Sequence, residues 1–390
     1  MAKLSERISK VTPSLTLAIT AKAKALKAQG LDVISLGAGE PDFDTPNFIK
    51  EAAIEALRKG VTKYTPAEGM LELRKAIAEK LKRDQGLTYT PDQIVVSVGA
   101  KHSIFNLLQV LLNPGDEVII PSPYWLSYPE IVTLSGGKSI FVQTREDQEF
   151  KLTPDLLEKA ITRKTKLLIL NSPSNPTGAV YRRKELEVLL PVLLKHPDVW
   201  ILSDEIYEKL IFNGESHVSI AQLHPEIAKR TLLVNGHSKA YAMTGWRIGY
   251  AACPKEIAEA SANLQSHSTS NPTSFAQAGA LVALQKGEGE AKQMCEVFEK
   301  RRNLFVAELQ KIPKIKPFLP QGAFYVFVNI EGTGLDSMRF TERILEEARV
   351  AVVPGAVFGS DRHIRLSFAC SEQDLLESSR RIRTWVDKLS

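Results

Sequence analysis

Short apolar runs alternate with longer stretches of helical periodicity over most of the 390-residue chain. Two of these runs, Lys166–Leu170 and Val199–Leu202, are apolar on both faces, as strands buried inside a parallel sheet require. The alternation predicts an α/β fold in which helices cross over between strands. The predicted strands are Ile94–Val98, Glu117–Pro121, Ser139–Gln143, Thr165–Asn171, Val199–Ser203, Thr231–Asn235 and Ile248–Ala252. The predicted helices between them are Ile104–Leu112, Tyr124–Leu134, Thr153–Ala160 and Arg183–Leu194.

The pattern changes after about residue 285, where a long polar helix, Glu288–Gln310, begins a less regular order of elements. Strand-like runs follow at Ala323–Ile330, Val350–Pro354 and Ile364–Ala369, and a further helix closes the chain. This order is typical of a smaller α+β unit, against which an early helix at Thr16–Gln29 can pack. We therefore expect an N-terminal arm with part of the small domain at 1–44, a large domain at 45–285 and a small domain at 286–390.

The composition, 44% hydrophobic and 24% charged, is that of an ordinary globular protein. A net charge of +5 is slight and its basic residues are spread out, which argues against a nucleic-acid-binding face. The three cysteines are far apart and lack metal-ligand spacing, so we expect free thiols and no metal site. No apolar run is long enough to cross a bilayer, and the polar start at Met1–Arg7 lacks the apolar core of a signal peptide. These features predict a cytoplasmic protein without membrane or nucleic-acid partners.

The segment Asn235–Tyr250 carries the most informative chemistry. Lys239 stands there among small residues, and Arg247 follows eight positions later in an otherwise uncharged stretch. An amine held beside an apolar wall loses its proton more easily and can then attack a carbonyl to form a Schiff base. The alternative is one exposed lysine in an ordinary strand–loop–strand segment.

Candidate partners for this lysine follow the ends of several predicted strands, the edge where ligands bind in open α/β sheets. Asp204 directly follows an apolar strand, where a buried carboxylate needs a cationic partner such as a pyridinium nitrogen, although a helix N-cap is the alternative. Asn175 lies in the turn-rich loop Asn171–Gly178, where its amide could donate to a phenolate oxygen, as could the hydroxyl of Tyr207.

A phosphate site is predicted where a strand passes through Gly99 and Ala100 into a helix, since the free N–H groups of a helix start bind anions. Ser238 and Arg247 would complete this site with a hydroxyl and a positive charge.

Arg365 alternates with apolar side chains on a predicted strand, which is unusual for a surface charge. Its planar guanidinium suits bidentate binding of a substrate carboxylate. Trp125 could stack on a cofactor ring, although a core tryptophan is the commoner explanation. Together these groups suit a phosphorylated pyridine aldehyde and a substrate that carries a carboxylate.

The ordered motifs resemble those of the fold-type I pyridoxal phosphate (PLP) enzymes, class I and II aminotransferases. The motifs that carry this resemblance are Asn175–Gly178, Ser203–Tyr207, Ser238–Lys239 through Arg247, and Arg365. Three further motifs resemble the bacterial-type aspartate aminotransferases, and they are Gly37–Phe43, Lys63–Pro66 and Pro123–Pro129. The resemblance runs nearly end to end and implies a mainly parallel seven-stranded sheet in the large domain.

The resemblance also implies a role for each matching residue. Lys239 would bind PLP and shuttle protons, Asp204 would face the pyridine nitrogen, and Trp125 would stack on the ring. Asn175 and Tyr207 would contact the ring oxygen, and Gly39 and Arg365 would hold the substrate α-carboxylate. The phosphate would be surrounded by Gly99, Ala100, Ser238 and Arg247, and Tyr64 would reach the phosphate of the neighbouring subunit. Lys101 would also be among the cofactor-binding residues. The family thus implies a homodimer with shared active sites.

The distal carboxylate of aspartate needs a second cation. The segment Ser266–Pro272 has no arginine where the animal-type enzymes carry one. In the bacterial subgroup the lysine of Gly-x-Lys, here Lys101, serves instead, and we expect it to come from the partner subunit. Ser14 and Thr16 are expected to add hydroxyl contacts at the mouth of the pocket.

Two positions depart from the family pattern. His237 stands where the lysine motif usually has an apolar residue, and Thr12 stands where members that use prephenate have lysine, which argues against a prephenate side activity.

The expected reaction is ping-pong transamination of L-aspartate and 2-oxoglutarate to oxaloacetate and L-glutamate. The alternatives are an aminotransferase preferring aromatic or other amino acids, a lyase on the same fold, a PLP-fused transcription regulator and a non-catalytic PLP-binding protein. A dinucleotide site at Gly37–Pro41 is rejected because Asp42 replaces the third glycine and Pro41 prevents the helix from starting.

Overall fold

A seven-stranded sheet forms the centre of the larger domain in the computed structural model, which describes residues 4–13 and 15–389. Its strands are β2 (Ile94–Ser97), β3 (Glu117–Ser122), β4 (Lys138–Gln143), β5 (Thr165–Asn171), β6 (Trp200–Asp204), β7 (Thr231–Gly236) and β8 (Gly249–Ala252). They lie in the order β2-β8-β7-β6-β5-β3-β4, and only β8 runs antiparallel to its neighbours. The sheet is therefore mainly parallel, as predicted.

Both faces of this sheet are buried. Leu167 and Ile169 of β5 belong to one hydrophobic cluster, whereas the alternating residues Leu168 and Leu170 belong to another on the opposite face. This burial explains why β5 and β6 have no polar face in the sequence. The helices of this part of the chain are α3 (Asn47–Arg58), α4 (Leu71–Gln85), α5 (Ala100–Leu111), α6 (Ser127–Leu134), α7 (Pro154–Ala160), α8 (Arg183–Glu187), α9 (Leu190–Lys195), α10 (Pro225–Ala228), α11 (Lys255–Ser266) and α12 (Ser274–Lys286).

The smaller domain contains two short sheets. A four-stranded sheet has the order β12-β13-β10-β9, and a parallel pair joins β1 to β11. These strands are β1 (Ile34–Ser35), β9 (Lys316–Pro317), β10 (Tyr325–Asn329), β11 (Val350–Ala351), β12 (Val353–Pro354) and β13 (His363–Ser367). The remaining helices are α1 (Glu6–Ser9), α2 (Leu15–Ala28), α13 (Glu288–Leu309), α14 (Ser337–Ala348) and α15 (Glu372–Val386). Single 3₁₀ turns lie at Pro91–Gln93, Glu146–Gln148, Ile220–Gln222, Thr244–Trp246, Glu331–Thr333 and Gly355–Phe358.

Two predicted elements differ from the structure. The helix expected at Arg183–Leu194 is two helices, α8 and α9, because Pro191 lacks the N–H that a helix interior needs and stands in the first turn of α9 instead. The strand expected at Val350–Pro354 is also divided, since its first half pairs with β1 and its second half with β13. The domain boundaries near residues 45 and 285 stay predictions.

Within residues 4–13 and 15–389, no helix combines the length and apolarity needed to cross a bilayer. The same part of the chain holds no group of three or more His, Cys, Asp or Glu side chains arranged for a metal ion.

Candidate active site

A cavity of about 730 Å³ opens beside the carboxyl ends of five large-sheet strands. Strands β2, β3, β5, β6 and β7 all point the same way, so the segments that follow them meet at one edge. Eleven of the residues predicted for the site line this cavity, although they are spread over more than 300 residues of the sequence. They are Gly39, Ala100, Lys101, Trp125, Asn175, Asp204, Tyr207, Ser238, Lys239, Arg247 and Arg365.

The amine of Lys239 projects into the cavity shortly after the end of β7. Its Nζ donates to the carbonyl oxygen of Gly39 at 2.6 Å and lies 5.9 Å from the centroid of the Phe324 ring. Burial lowers the pKa of Lys239 to about 8, because its charged form loses hydration among these groups. Near neutral pH about one amine in ten is then unprotonated, far more than for an ordinary lysine, and this is the form that a nucleophile or base requires.

Asp204 ends β6 with its carboxylate buried at the cavity wall. Burial raises its pKa to about 6, although the hydroxyl of Tyr128 donates to Oδ2 at 2.6 Å and acts in the opposite direction. The N–H of Ile206 also donates to Oδ1 at 3.3 Å, but no helix starts here, so the helix N-cap alternative does not apply. A buried carboxylate of this kind is stabilised by a cation in the cavity.

Arg365 is buried on β13 with its guanidinium held in the cavity wall. Its Nη1 donates to Oδ1 of Asn175 at 2.9 Å and its Nη2 donates to the carbonyl oxygen of Gly37 at 3.0 Å. No carboxylate within the described residues forms an ion pair with it, and its Nε has no hydrogen-bond partner there. A buried guanidinium without a counter-ion suits an anionic ligand, above all a carboxylate.

The start of α5 forms a second anion-binding corner. Gly99 precedes this helix with φ +88°, and no side chain caps the helix, so its first N–H groups face the cavity. This φ favours glycine at position 99, and a Cβ there would also displace the guanidinium of Arg247. Arg247 donates to the carbonyl oxygens of Thr244 at 2.9 Å and of Val98 at 3.3 Å, which holds its charge beside the helix start. Ser238 lines the same cavity, and the set suits a phosphate.

Lys101 lies in the cavity of its own chain, with Nζ 4.9 Å from the centroid of the Trp125 ring. The sequence analysis expects this lysine to come from the partner subunit, whereas in the structure it lines the cavity of its own chain. Burial lowers the pKa of Lys101, and the neighbouring charge of Arg247 adds to this effect. Besides Arg247 and the amine of Lys239, the cavity is lined by Arg365, Lys101 and two lysines of α2, Lys24 and Lys27.

Two predicted site residues within the described part of the chain do not line the cavity. Gly99 adjoins it through Arg247, and Tyr64 lies outside it with 88% of its surface exposed. Ser14 lies outside the described residues, as does the side chain of Thr16, so neither contact can be placed.

The two positions that depart from the family pattern have clear surroundings. His237 is fully buried, with its ring 5.8 Å from that of Tyr241, and burial lowers its pKa to about 4, so it is neutral. Thr12 donates its hydroxyl and its N–H to the carboxylate of Glu130, which ties the N-terminal arm to α6.

Tyr128 and Tyr325 also line the cavity but were not predicted as site residues. Tyr128 donates to Asp204, and Tyr325 lies between Tyr207 and Arg365. The sequence held only a weak signal for Tyr128, which stands in the motif Pro123–Pro129 without a role. It held none for Tyr325, which reads as a core residue of an apolar strand.

Comparison with known proteins agrees with this geometry. The family model described as aminotransferase class I and II matches residues 31–382. The chain is 52% identical to an aspartate aminotransferase of Bacillus subtilis, with 100% of both chains covered. It is 47% identical to an aspartate/prephenate aminotransferase of Nitrosomonas europaea, with 97% of this chain and 98% of that protein covered. The crystal structure of an aspartate aminotransferase from Rhizobium meliloti matches with a TM-score of 0.97 at 46% identity, with 100% of both chains covered.

Proposed function

Because the chain belongs to the family of class I and II aminotransferases, we propose that it is an aspartate aminotransferase that uses PLP. It would transfer the amino group of L-aspartate to 2-oxoglutarate, giving oxaloacetate and L-glutamate. The observation that carries this proposal is the pair of cations, Arg365 and Lys101, in the same cavity as the amine of Lys239. A dicarboxylic amino acid needs one cation for each of its two carboxylates. Its transamination also needs a base that takes the proton from the α-carbon.

The cavity fits PLP at each part of the cofactor. The buried carboxylate of Asp204 has no cation bonded to it among the described residues, and a pyridinium nitrogen would supply one. The uncapped start of α5, with Arg247 and Ser238, suits the phosphate. Asn175, Tyr207 and Trp125 line the same cavity. In this proposal Asn175 and Tyr207 would contact the ring oxygen, and Trp125 would offer an aromatic face for the ring. When bound, PLP supplies an electron-poor ring that takes up the electron pair left by the departing α-proton.

The residues of the chain then bind, orient and move protons. Arg365 binds the α-carboxylate, and Lys101 attracts the distal carboxylate. Once it is free, the amine of Lys239 takes the proton from the α-carbon of the substrate and then delivers this proton to the cofactor. Its pKa of about 8 suits a group that must accept and release a proton near neutral pH. Since the two half-reactions use the same groups in turn, ping-pong kinetics are expected.

An amino-donor panel with 2-oxoglutarate as acceptor tests the proposed substrate. We expect the highest kcat/KM for aspartate, because two cations of the cavity can each meet one of its carboxylates. A higher kcat/KM for phenylalanine or tyrosine would instead favour the aromatic alternative. That alternative keeps some support, since a relative by structure, 43% identical, is described as an aromatic aminotransferase from Pyrococcus horikoshii. Pyruvate or ammonia release would indicate a lyase.

Lys101→Ala should raise the KM for aspartate by about tenfold or more while changing the KM for phenylalanine by less than about threefold. The reason is that only aspartate has a distal carboxylate for this ammonium to bind. Steady-state kinetics on both donors measure the difference. Lys255→Ala, which changes an exposed lysine paired with Asp92, is the matched control and should leave both values unchanged. Equal increases for both donors would remove Lys101 from this role.

The assembly and location are further parts of the proposal. Tyr64 exposes 88% of its surface outside the cavity of its own chain, which supports a homodimer in which it contributes to the partner's site. The expected light-scattering mass is that of two chains, and a single-chain mass with full activity would contradict shared sites. We also propose a cytoplasmic location, where aspartate and 2-oxoglutarate are metabolites, and fractionation of the source cells tests it.

A further inference from the structure

Tyr325 joins two parts of the cavity that the reaction uses separately. It lies on β10 of the smaller domain, is fully buried, and contacts both Tyr207 and Arg365. Tyr207 belongs to the larger domain and is placed for the cofactor ring oxygen, whereas Arg365 is placed for the substrate carboxylate. One side chain therefore connects the cofactor end of the site to the carboxylate end.

The hydroxyl of Tyr325 has a defined partner. It lies 2.9 Å from the hydroxyl of Tyr207, and either oxygen can donate in the cavity as it stands. Burial raises the pKa of both phenols, so both keep their protons at neutral pH. A phenol has only one O–H to donate. If Tyr207 gives its hydrogen to the cofactor, the hydrogen between the two tyrosines must come from Tyr325.

The ring of Tyr325 has a separate contact. The guanidinium carbon of Arg365 lies 4.3 Å from its centroid, and the ring of Phe358 approaches the same guanidinium at 5.1 Å. The edge of the guanidinium is held by Asn175 and Gly37 through hydrogen bonds. A planar cation bonded at its edge and contacted by two aromatic rings has little freedom to rotate, which keeps its remaining N–H groups directed into the cavity.

The backbone before Tyr325 is shaped to bring it there. Ala323 has φ +59°, an unfavourable value for a residue with a side chain, and its N–H donates to the carbonyl oxygen of Leu210 at 2.9 Å. At Gly322 a Cβ would lie 2.6 Å from that same oxygen, so only glycine fits. Leu210 is three residues after Tyr207, so this junction holds the two tyrosines together.

We propose that Tyr325 is a positioning residue with two separable functions. Its hydroxyl donates to Tyr207, so that the hydrogen of Tyr207 is directed at the cofactor ring oxygen, and its ring orients Arg365 for the substrate carboxylate. This inference rests on the proposed aminotransferase function, since it assigns both contacts to parts of that site.

Two substitutions separate the functions. Tyr325→Phe removes only the hydroxyl, and Tyr325→Leu removes the aromatic face as well. Hydrogen bonds to the ring oxygen stabilise its unprotonated form, so in Tyr325→Phe the pH midpoint of the near-visible cofactor absorbance should rise by about half a unit. The same variant should bind maleate, a dicarboxylate without an amino group, within about twofold of the wild type. Tyr325→Leu should show the pH shift and also bind maleate about tenfold more weakly.

Controls make each outcome decisive. Tyr181→Phe removes another buried phenol hydroxyl, which accepts from the N–H of Leu152 at 2.7 Å and lies outside the cavity, and it should change neither value. Circular dichroism checks that each variant folds. If Tyr325→Leu does not fold, Tyr325→Met removes the aromatic ring with an unbranched side chain instead. An unchanged pH midpoint in Tyr325→Phe, or unchanged maleate binding in the folded variant without the ring, overturns the corresponding half of the inference. Failure of the wild type to show the absorbance or to transaminate aspartate would instead overturn the proposed function.

Discussion

Lys239→Ala is expected to abolish turnover, with kcat lower by about ten-thousandfold or more. The substitution removes both the amine that bonds to the cofactor aldehyde and the base that moves the α-proton. Methyl in place of the amine cannot take over either step, and within residues 4–13 and 15–389 no other lysine amine donates to Gly39 as Lys239 does. Steady-state kinetics with aspartate measure the loss, and the near-visible absorbance of the lysine-bound cofactor should disappear.

The cofactor should nevertheless still bind, because the phosphate corner at Arg247 and the start of α5 is unchanged. Equilibrium dialysis with PLP shows whether the variant has lost only the covalent bond to the cofactor or also its affinity for it. Lys209→Ala, which changes a lysine paired with Asp84 and Glu288 outside the cavity, is the control for a lost ammonium group and should keep near wild-type turnover. Appreciable transamination by Lys239→Ala would contradict the assignment of this residue.

Asp204→Asn should lower kcat by about a hundredfold to a thousandfold with little change in the KM for aspartate. Asparagine keeps the shape and can still accept the bond from Tyr128, but it lacks the negative charge that keeps the pyridine nitrogen protonated. Arg365 binds the substrate carboxylate through different contacts, so substrate binding should be nearly intact. Kinetics with aspartate and a titration of PLP affinity measure the two effects.

The neighbouring carboxylate offers a matched control. Glu205 is also buried, but it does not line the cavity and accepts instead from Gln85 at 2.8 Å and Ser203 at 2.8 Å. Burial acts to raise its pKa, yet His217 and the hydroxyls of Ser219 and Ser203 hold the pKa below its ordinary value. Glu205→Gln should therefore lower the free energy of unfolding while kcat stays within about threefold of the wild type. A similar loss of kcat in both variants would mean that Asp204 acts only through the packing around it.

Much of the fold could be predicted from the pattern of apolar residues. All seven predicted strands of the large sheet exist in the structure, because a strand buried on both faces leaves a continuous apolar run. The predictions were wrong where tertiary contacts divide one run between two partners, as at Val350–Pro354. No local pattern records which sheet each half joins.

The candidate site was predicted as far as the chemistry of single residues allows. Lys239, Asp204 and Arg365 are conspicuous in sequence because each places a charge in an apolar segment, which is costly without a partner. The family resemblance then assigned their roles, and the structure brings all three to one cavity. Lys101 was predicted as a site residue, but only the structure placed it in the cavity of its own chain.

By itself the sequence determined the fold family, the position of the reactive lysine and the set of charges around it, since charge in an apolar run has few explanations. The tertiary structure alone decided which tyrosines belong to the site. Tyr128 and Tyr325 lie 76 and 118 residues from the partners of their hydroxyl groups. A tyrosine in an apolar run packs equally well in any core, and the partner of its hydroxyl depends on which distant segment the fold brings beside it.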